Sequence, residues 1–312
     1  MECHSPLVTV VVITYNSSKY VIETLDSIYN QTYTNLELII SDDCSKDDTI
    51  KICEDWLKKN GNRFYHTEII TTEINTGIPA NCNRGFDKAQ GEWIKYIAAD
   101  DCLYPHAIDK YISVAIDKDY KILFSNMDIF MDTFEDTNKI QEKQIPPSVF
   151  KKNKSDANTQ FRILTIGNQI YAPAVFIKKE LYKYVGKFDE DIKLCEDWPM
   201  WLKITRFGYA FYYIDEPLIK YRKYQESTWG KQYINKKYIV TKGEDVINER
   251  YIFPYVDKFV KLILTFDYYL RNRLNSSKLK CNYLYVFLIK VCSFCKRVLF
   301  AKYNNSLFRK RK

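Results

Sequence analysis

The segment Ala98-Ala99-Asp100-Asp101 sets two adjacent carboxylates at the end of a β-like run, Glu92 to Ala98, just before a helix-like segment that opens at Pro105. In an open α/β sheet the carboxyl ends of the strands face the crevice where ligands bind. Carboxylate oxygens are hard donors that suit Mg²⁺ or Mn²⁺ rather than soft metals. A second acid pair, Glu196-Asp197, stands ahead of Pro199 and a helical pattern from Met200 to Arg206. Neighbouring acids raise each other's proton affinity, which suits one of them to accept a proton near neutral pH. A third pair, Asp42-Asp43, ends the run Leu36 to Ile40. Asp also favours turns and helix caps, so each pair has a structural use beside the chemical one.

These residues need elements to position them. Leu7 to Ile13 is a nearly continuous apolar, β-branched run, the pattern of a strand buried on both faces. Helical spacing follows through Val21, Leu25 and Ile28. Leu36 to Ile40 is a second strand, and Asp47-Asp48-Thr49 caps a helix reaching about Lys59. Phe64 to Thr72 reads as a strand, Pro79 to Ala89 as a helix and Trp93 to Ala98 as the fourth strand. Strands alternating with helices predict right-handed crossovers and a mostly parallel sheet. The polar clusters at Asn16, Asp42-Asp43, Asn75-Gly77 and Asp100-Asp101 then share one sheet edge. Further on, Pro105 to Ile116 is helical, Lys121 to Phe130 and Tyr209 to Ile214 are strands, and the polar stretch Asp132 to Asn158 reads as a mobile excursion.

The 312 residues can bury one large core or two modest ones, and with 46% hydrophobic residues the chain is globular. Nine Cys, an odd number, make no paired framework and fit a reducing compartment; Cys292 and Cys295 read as small apolar residues on a helix, not as half of a zinc site. The start of the chain lacks the pattern of a signal peptide. The net charge is +8, and Lys296, Arg297, Lys302 and Arg309 to Lys312 make the end of the chain basic. From Gly230 to Lys312 the pattern is helical. Tyr283 to Ala301 is short for a membrane span but suits an interfacial helix; it equally suits a helix packed on the domain. No nucleic-acid motif accompanies the charge.

Five segments resemble glycosyltransferase family 2. They are Val11 to Asn16, Leu38 to Thr49, Asn75 to Gly85 with Gly91-Glu92-Trp93, Ile97 to Asp101, and Cys195 to Trp201. They occur in the family's order over about residues 8–205. The resemblance implies an α/β, GT-A (Rossmann-like) fold with a mostly parallel sheet flanked by helices and a helical C-terminal extension. It implies a catalytic domain over 1–228, with a nucleotide-binding part over about 1–130 and an acceptor-binding part over about 131–228, followed by a helical region over 229–312.

The activity it implies is transfer of a sugar from a nucleotide-diphosphate donor, UDP by family frequency, to an acceptor hydroxyl with inversion. The setting would be bacterial surface polysaccharide assembly in the cytoplasm, with a saccharide acceptor, lipid-linked at the inner membrane face, and residues 281–312 on the membrane surface. Thr14, Tyr15, Asn16, Asp42, Asp43, Asn83, Arg84 and Asp100 would meet the donor. Asp100 would hold a divalent cation, Mn²⁺ or Mg²⁺, while Asp101 assists or caps the next helix. Asp197 would be the catalytic base with Glu196 beside it. The sequence departs from the family pattern at three places: Ala98 replaces the first acid of the metal motif, Cys82 replaces a frequent Arg, and Tyr224 stands where many relatives carry His. Two other readings are a catalytically inactive nucleotide-sugar-binding relative and a sugar-nucleotide nucleotidyltransferase. The latter needs a Gly- and Arg/Lys-rich first loop, which Thr14 to Ser18 lacks.

Overall fold

The computed structural model describes residues 5–140, 148–151, 155–224, 243–275 and 283–309. Its first part follows the expected alternation: β1 (Val8–Thr14), α1 (Val21–Tyr29), β2 (Leu36–Asp42), α2 (Thr49–Asn60), β3 (His66–Ile70), α3 (Ile78–Lys88) and β4 (Trp93–Ala98). Every residue of β2 is buried, and every residue of β1 except Ile13. That explains why these strands show no apolar–polar alternation. Then come β5 (Cys102–Leu103), α4 (Ala107–Lys118), β6 (Ile122–Met131), β7 (Lys139–Ile140), α5 (Ser148–Lys151), α6 (Ala157–Leu164), β8 (Val175–Lys178), α7 (Lys179–Val185), α8 (Asp197–Arg206) and β9 (Tyr212–Lys223). Among the described residues that follow are the α-helices α9 (Glu244–Ile247), α10 (Lys258–Asn275) and α11 (Tyr283–Arg309).

One sheet runs β3-β2-β1-β4-β8-β6-β9-β5, with β7 on β6. β1 pairs in parallel with β2 and β4, and β2 with β3. β8 runs antiparallel to both β4 and β6, and β6 is parallel to β9. The short reversed strand therefore joins two parallel groups whose carboxyl ends face the same edge. Side chains alternate across the sheet. Val8, Val10 and Val12 enter one core layer with Leu25, Trp56 and Tyr111, and Val11 enters the other with Phe86, Tyr96 and Trp201. The C-terminal helices share this second layer through Val260, Ile263, Leu264 and Leu299.

Three local expectations change. The strand expected at Tyr209–Ile214 extends to Lys223, because two register shifts opposite Ser125–Met127 carry it past Pro217. A proline inside a strand and an irregular register both hide the two-residue period. The helix expected at Met200 begins at Asp197. The polar stretch after Asp132 contains β7, paired with Ile129 and Phe130, and buries Val149 and Phe150; residues 141–147 and 152–154 lie outside the described residues.

α3 lies unusually close to β1. A Cβ on Gly85 would fall 2.3 Å from Val11 Cγ1. Replacing a helical Gly by Ala gains at most about 1 kcal/mol of helix propensity. Overpacking a filled core costs about 1–3 kcal/mol. The clash outweighs the propensity gain, so Gly85→Ala should lower the melting temperature in a thermal scan.

Candidate active site

Three strand ends meet in register. Thr14 of β1 stands beside Asp42 of β2, and Ile13 beside Ala98 of β4. Asp43 N donates to Thr14 O and Ala99 N to Ile13 O, so pairing continues past the last strand residues. Asp42 is fully buried and accepts from Thr14 Oγ1 (2.7 Å), Ser45 N (2.8 Å) and Ser45 Oγ (2.5 Å). Asn16, at φ +51°, accepts from Lys46 N and donates its own N–H to Ser45 Oγ, each 2.8 Å. The first two loops are thereby fastened to each other, with Tyr15 half exposed at the rim.

Asp43 faces the loop before α3. It accepts from the Thr76 hydroxyl (2.6 Å), the Thr76 and Gly77 amides and Arg84 Nη2 (2.8 Å). Burial pushes its carboxyl up, but these donors, Thr76 first, outweigh burial and hold it below the usual range. Arg84 is turned to this cluster, and its buried Nε has no partner among the described residues. Asn83 is buried; it donates to Phe188 O and Glu190 and accepts from Tyr182 and Phe188 N. Cys82 is fully buried in the core rather than placed at the edge.

Four acids line a single cavity of about 300 Å³: Asp100, Asp101, Glu196 and Asp197. They are nearly a hundred residues apart in the chain. The first pair hangs from the end of β4 and the second sits at the start of α8. The cavity wall opposite is the segment Tyr171–Pro173. The fully buried Lys95 holds that segment by donating to Pro173 O and Val175 O, and Tyr111 does so by donating to Ala174 O at 2.7 Å. Burial pulls the Lys95 ammonium down to about 7.

Arg222 of β9 fixes the first acid pair. Its backbone N donates to Asp101 Oδ1 and its Nε to Asp100 O, each 2.9 Å. Its guanidinium lies over the rings of Tyr20 (4.4 Å) and Phe134 (3.9 Å) and pairs with Glu23 at 2.9 Å. Tyr224 reaches the same place, donating to Asp100 Oδ2 at 3.0 Å. Burial pushes Asp100 up, and burial plus the Asp100 charge push Asp101 well up. Among the described residues no group of three His, Cys, Asp or Glu is arranged to hold a metal. Two hard carboxylates suit an ion that takes most of its oxygens from a diphosphate and water, not a closed nitrogen and sulfur site.

The second pair is differentiated. Asp197 accepts from Asn168 Nδ2 (2.7 Å), Trp198 N (2.6 Å) and the Cys195 thiol (3.5 Å). Burial raises it, and these donors oppose the rise. Glu196 has only its own backbone amide to oppose the rise; burial first, then the Asp197 charge, push it up to about 8. The two acids thus differ in surroundings: burial and the neighbouring charge favour the neutral form of Glu196, while Asp197 carries the donors that favour a carboxylate.

The family model for Glycosyl transferase family 2 matches residues 9–179, more than half of the chain. The chain belongs to glycosyltransferase family 2. An uncharacterized glycosyltransferase of Rickettsia typhi is 29% identical over 227 residues, 72% of this chain and 66% of the relative. One from Haemophilus influenzae is 29% identical over 225 residues, 72% of this chain and 67% of the relative. The chain thus spans about two thirds of the length of these relatives. Among solved structures, Staphylococcus aureus TarS 1–349 in complex with UDP-GlcNAc superposes at TM-score 0.61 and 19% identity, over 96% of this chain and 83% of that one. The mannosyltransferase PcManGT from Pyrobaculum calidifontis, in complex with GDP-Man and Mn²⁺, superposes at 0.55 and 14%, over 99% and 89%. At these identities the likeness shows the fold, which is GT-A.

The matched residues end before Glu196-Asp197, and the fold brings that pair to the same cavity as Asp100 and Asp101. Of the residues singled out from sequence, Asp100, Asp101, Glu196 and Asp197 share the cavity; Thr14, Tyr15, Asn16, Asp42, Asp43, Asn83 and Arg84 are not in its lining. Sequence reading missed Tyr96, Asn168 and Tyr171 as lining residues and gave Arg222 no role. A lone buried-strand Tyr and a loop Asn carry no signal of their own, but an Arg two residues from Tyr224 offered one.

The Glu196 shift has a stability consequence. Its folded value lies above the unfolded carboxyl value of about 4.3, so the neutral form is favoured by the fold. That stability is present below the unfolded value and is lost as pH rises through 8. Glu196→Gln should therefore melt higher than the native chain at pH 8, with the gain shrinking toward pH 4.5. A gain that does not vary with pH would contradict this assignment.

Proposed function

We propose that this protein transfers a sugar from a nucleotide-diphosphate donor, a UDP-sugar, to a saccharide hydroxyl with inversion at the anomeric carbon. The observation that carries this reading is the shared cavity in which Asp100 and Asp197 meet. Residues 1–130 supply the donor side through the loops at Thr14-Tyr15-Asn16 and Asp42-Asp43, with Arg84 holding Asp43 and the buried Asn83 holding α3 in place, and residues 131–228 supply the acceptor side. The UDP-GlcNAc complex of TarS and the GDP-Man and Mn²⁺ complex of PcManGT lend support, since both proteins share the fold.

In this reading Asp197 takes the proton of the acceptor hydroxyl as its oxygen bonds to the anomeric carbon. The bond from that carbon to the diphosphate breaks, and the diphosphate leaves with the electron pair. Asn168 and the Trp198 amide hold the Asp197 carboxylate in place. Asp100, with Asp101 beside it, would hold the divalent cation. When bound, that ion offsets the negative charge growing on the leaving diphosphate. Arg222 and Tyr224 keep the Asp100 turn fixed while this happens. The acceptor is a lipid-linked saccharide of surface polysaccharide assembly, met at the inner membrane face with residues 281–312 on the lipid surface.

A positioned base contributes about 10²–10⁴-fold to such a step. Asp197→Asn should lower kcat by that factor with unchanged nucleotide affinity. Glu196→Gln, which mimics the protonated state, should keep most of the activity at pH 7. Steady-state transfer assays and nucleotide titration check both. Equal losses in the two variants would remove Asp197 from the role of base.

A further inference from the structure

The last two long helices carry an apolar surface that is exposed among the described residues. On α10 the buried side is Val260, Ile263, Leu264, Asp267 and Leu270, while Phe259, Leu262, Phe266 and Tyr269 are 40–67% exposed. On α11 the buried side is Ile289, Cys292 and Leu299, while Leu284, Phe287, Val291, Phe294 and Val298 are 41–61% exposed. Both exposed sets recur at three- and four-residue steps, so each is one stripe.

The two stripes lie on the same face. Leu270 packs with Ile289 and Cys292, and Asp267 pairs with Lys296 at 2.9 Å, so later residues of α10 meet earlier residues of α11 and the helices are antiparallel. At about 100° per residue, each stripe sits roughly a third of a turn from its helix's buried side, with the same rotational sense. The buried sides meet each other at Leu270, Ile289 and Cys292 and the main core at Val260 and Leu299; in antiparallel neighbours joined this way, equal rotation brings both stripes to one side of the pair. The arrangement is fixed internally. Arg271 bridges Glu244 (2.5 Å) and Asp267 (2.9 Å), and Leu299 and Val260 anchor the pair in the main core.

Charge identifies the occupant. Residues 258–312 hold 14 Lys and Arg and one acid, Asp267, which is buried in those ion pairs. The chain totals are 47 and 39, so residues 1–257 hold 33 bases and 38 acids and are net acidic, at −5 against +13. Lys258, Lys290 and Lys302 are exposed along the borders of the apolar face. A second copy would bring the same positive charge against this one. Neither helix is long and apolar enough to cross a bilayer.

We propose that the α10–α11 pair docks as one unit on an anionic lipid surface, its joint apolar face in the headgroup boundary and its lysines on the lipid phosphates. This rests on the reading above that residues 281–312 meet a membrane, and adds that α10 supplies half of the face. It also explains how an acidic catalytic body can be held close to a negative leaflet: the basic end faces the lipid.

The test is co-sedimentation of the full chain with vesicles of phosphatidylcholine alone, or with about 30% phosphatidylglycerol, enough to give an anionic surface. Three variants accompany it: Leu262→Glu with Phe266→Glu on α10, Phe287→Glu with Phe294→Glu on α11, and all four together. The native chain should sediment at least tenfold more with anionic vesicles, and lose this in high salt. Either pair of substitutions should weaken binding, and the fourfold variant should stay in the supernatant with an unchanged melt and unchanged UDP stabilisation. If only the α11 pair weakens binding, α10 is not part of the face while the reading of residues 281–312 stands. If the native chain sediments with neither vesicle, both membrane statements fall, and the UDP melt still reports the transferase reading separately. A native dimer that the fourfold variant converts to monomer would assign the face to a second copy and overturn the proposal.

Discussion

Four carboxyl groups open on one small cavity, and Arg222 is the one cationic side chain in its described lining. Arg222 is already committed. It is stacked between Tyr20 and Phe134, paired with Glu23, and bonded to the backbone of Asp100. The charges of the acids must therefore be met by protons or by a bound cation, since unpaired buried charge is costly. All four acids are accordingly pushed up from their ordinary values, by burial before anything else. A divalent cation held at Asp100 would offset part of that negative charge.

The rest of the molecule holds these groups at that density. In-register pairing of β1 with β2 and β4 aligns the three loops. The extension of β9 to Lys223 brings Arg222 and Tyr224 under Asp100. Lys95 and Tyr111 clamp the opposite wall through three backbone carbonyls. The Asp42 and Asp43 carboxylates are held by hydrogen bonds from Ser45 in their own loop and from Thr76 and Gly77 in the loop before α3. Pre-organisation of this kind avoids reorganisation when charge develops on a leaving group.

Much of the fold was legible because β1, β2 and β4 are short, largely apolar and separated by helices with a clear 3.6-residue period. The acids at the strand ends were legible for the same reason: an Asp at the end of an apolar run is at the sheet edge. What stayed hidden depended on long-range pairing. Pro217 and the register shifts masked the second half of β9, so Arg222 had no assigned position. The difference in surroundings between Glu196 and Asp197 was also hidden. It depends on donors from Asn168 and the Trp198 amide, which no spacing rule connects to them. Nor could the pattern along α11 alone show that α10 shares its exposed face.

The central claim is that Asp100 brings a divalent cation and a nucleotide diphosphate together in this cavity. The most direct measurement is the melting temperature of the native chain and of Asp100→Asn with UDP, GDP and dTDP, each with and without Mn²⁺. Ligand binding raises the melt by mass action. The account predicts a rise for the native chain with UDP that requires Mn²⁺ and is lost in Asp100→Asn. No rise with any of the nucleotides, or an equal rise without the cation, would contradict it.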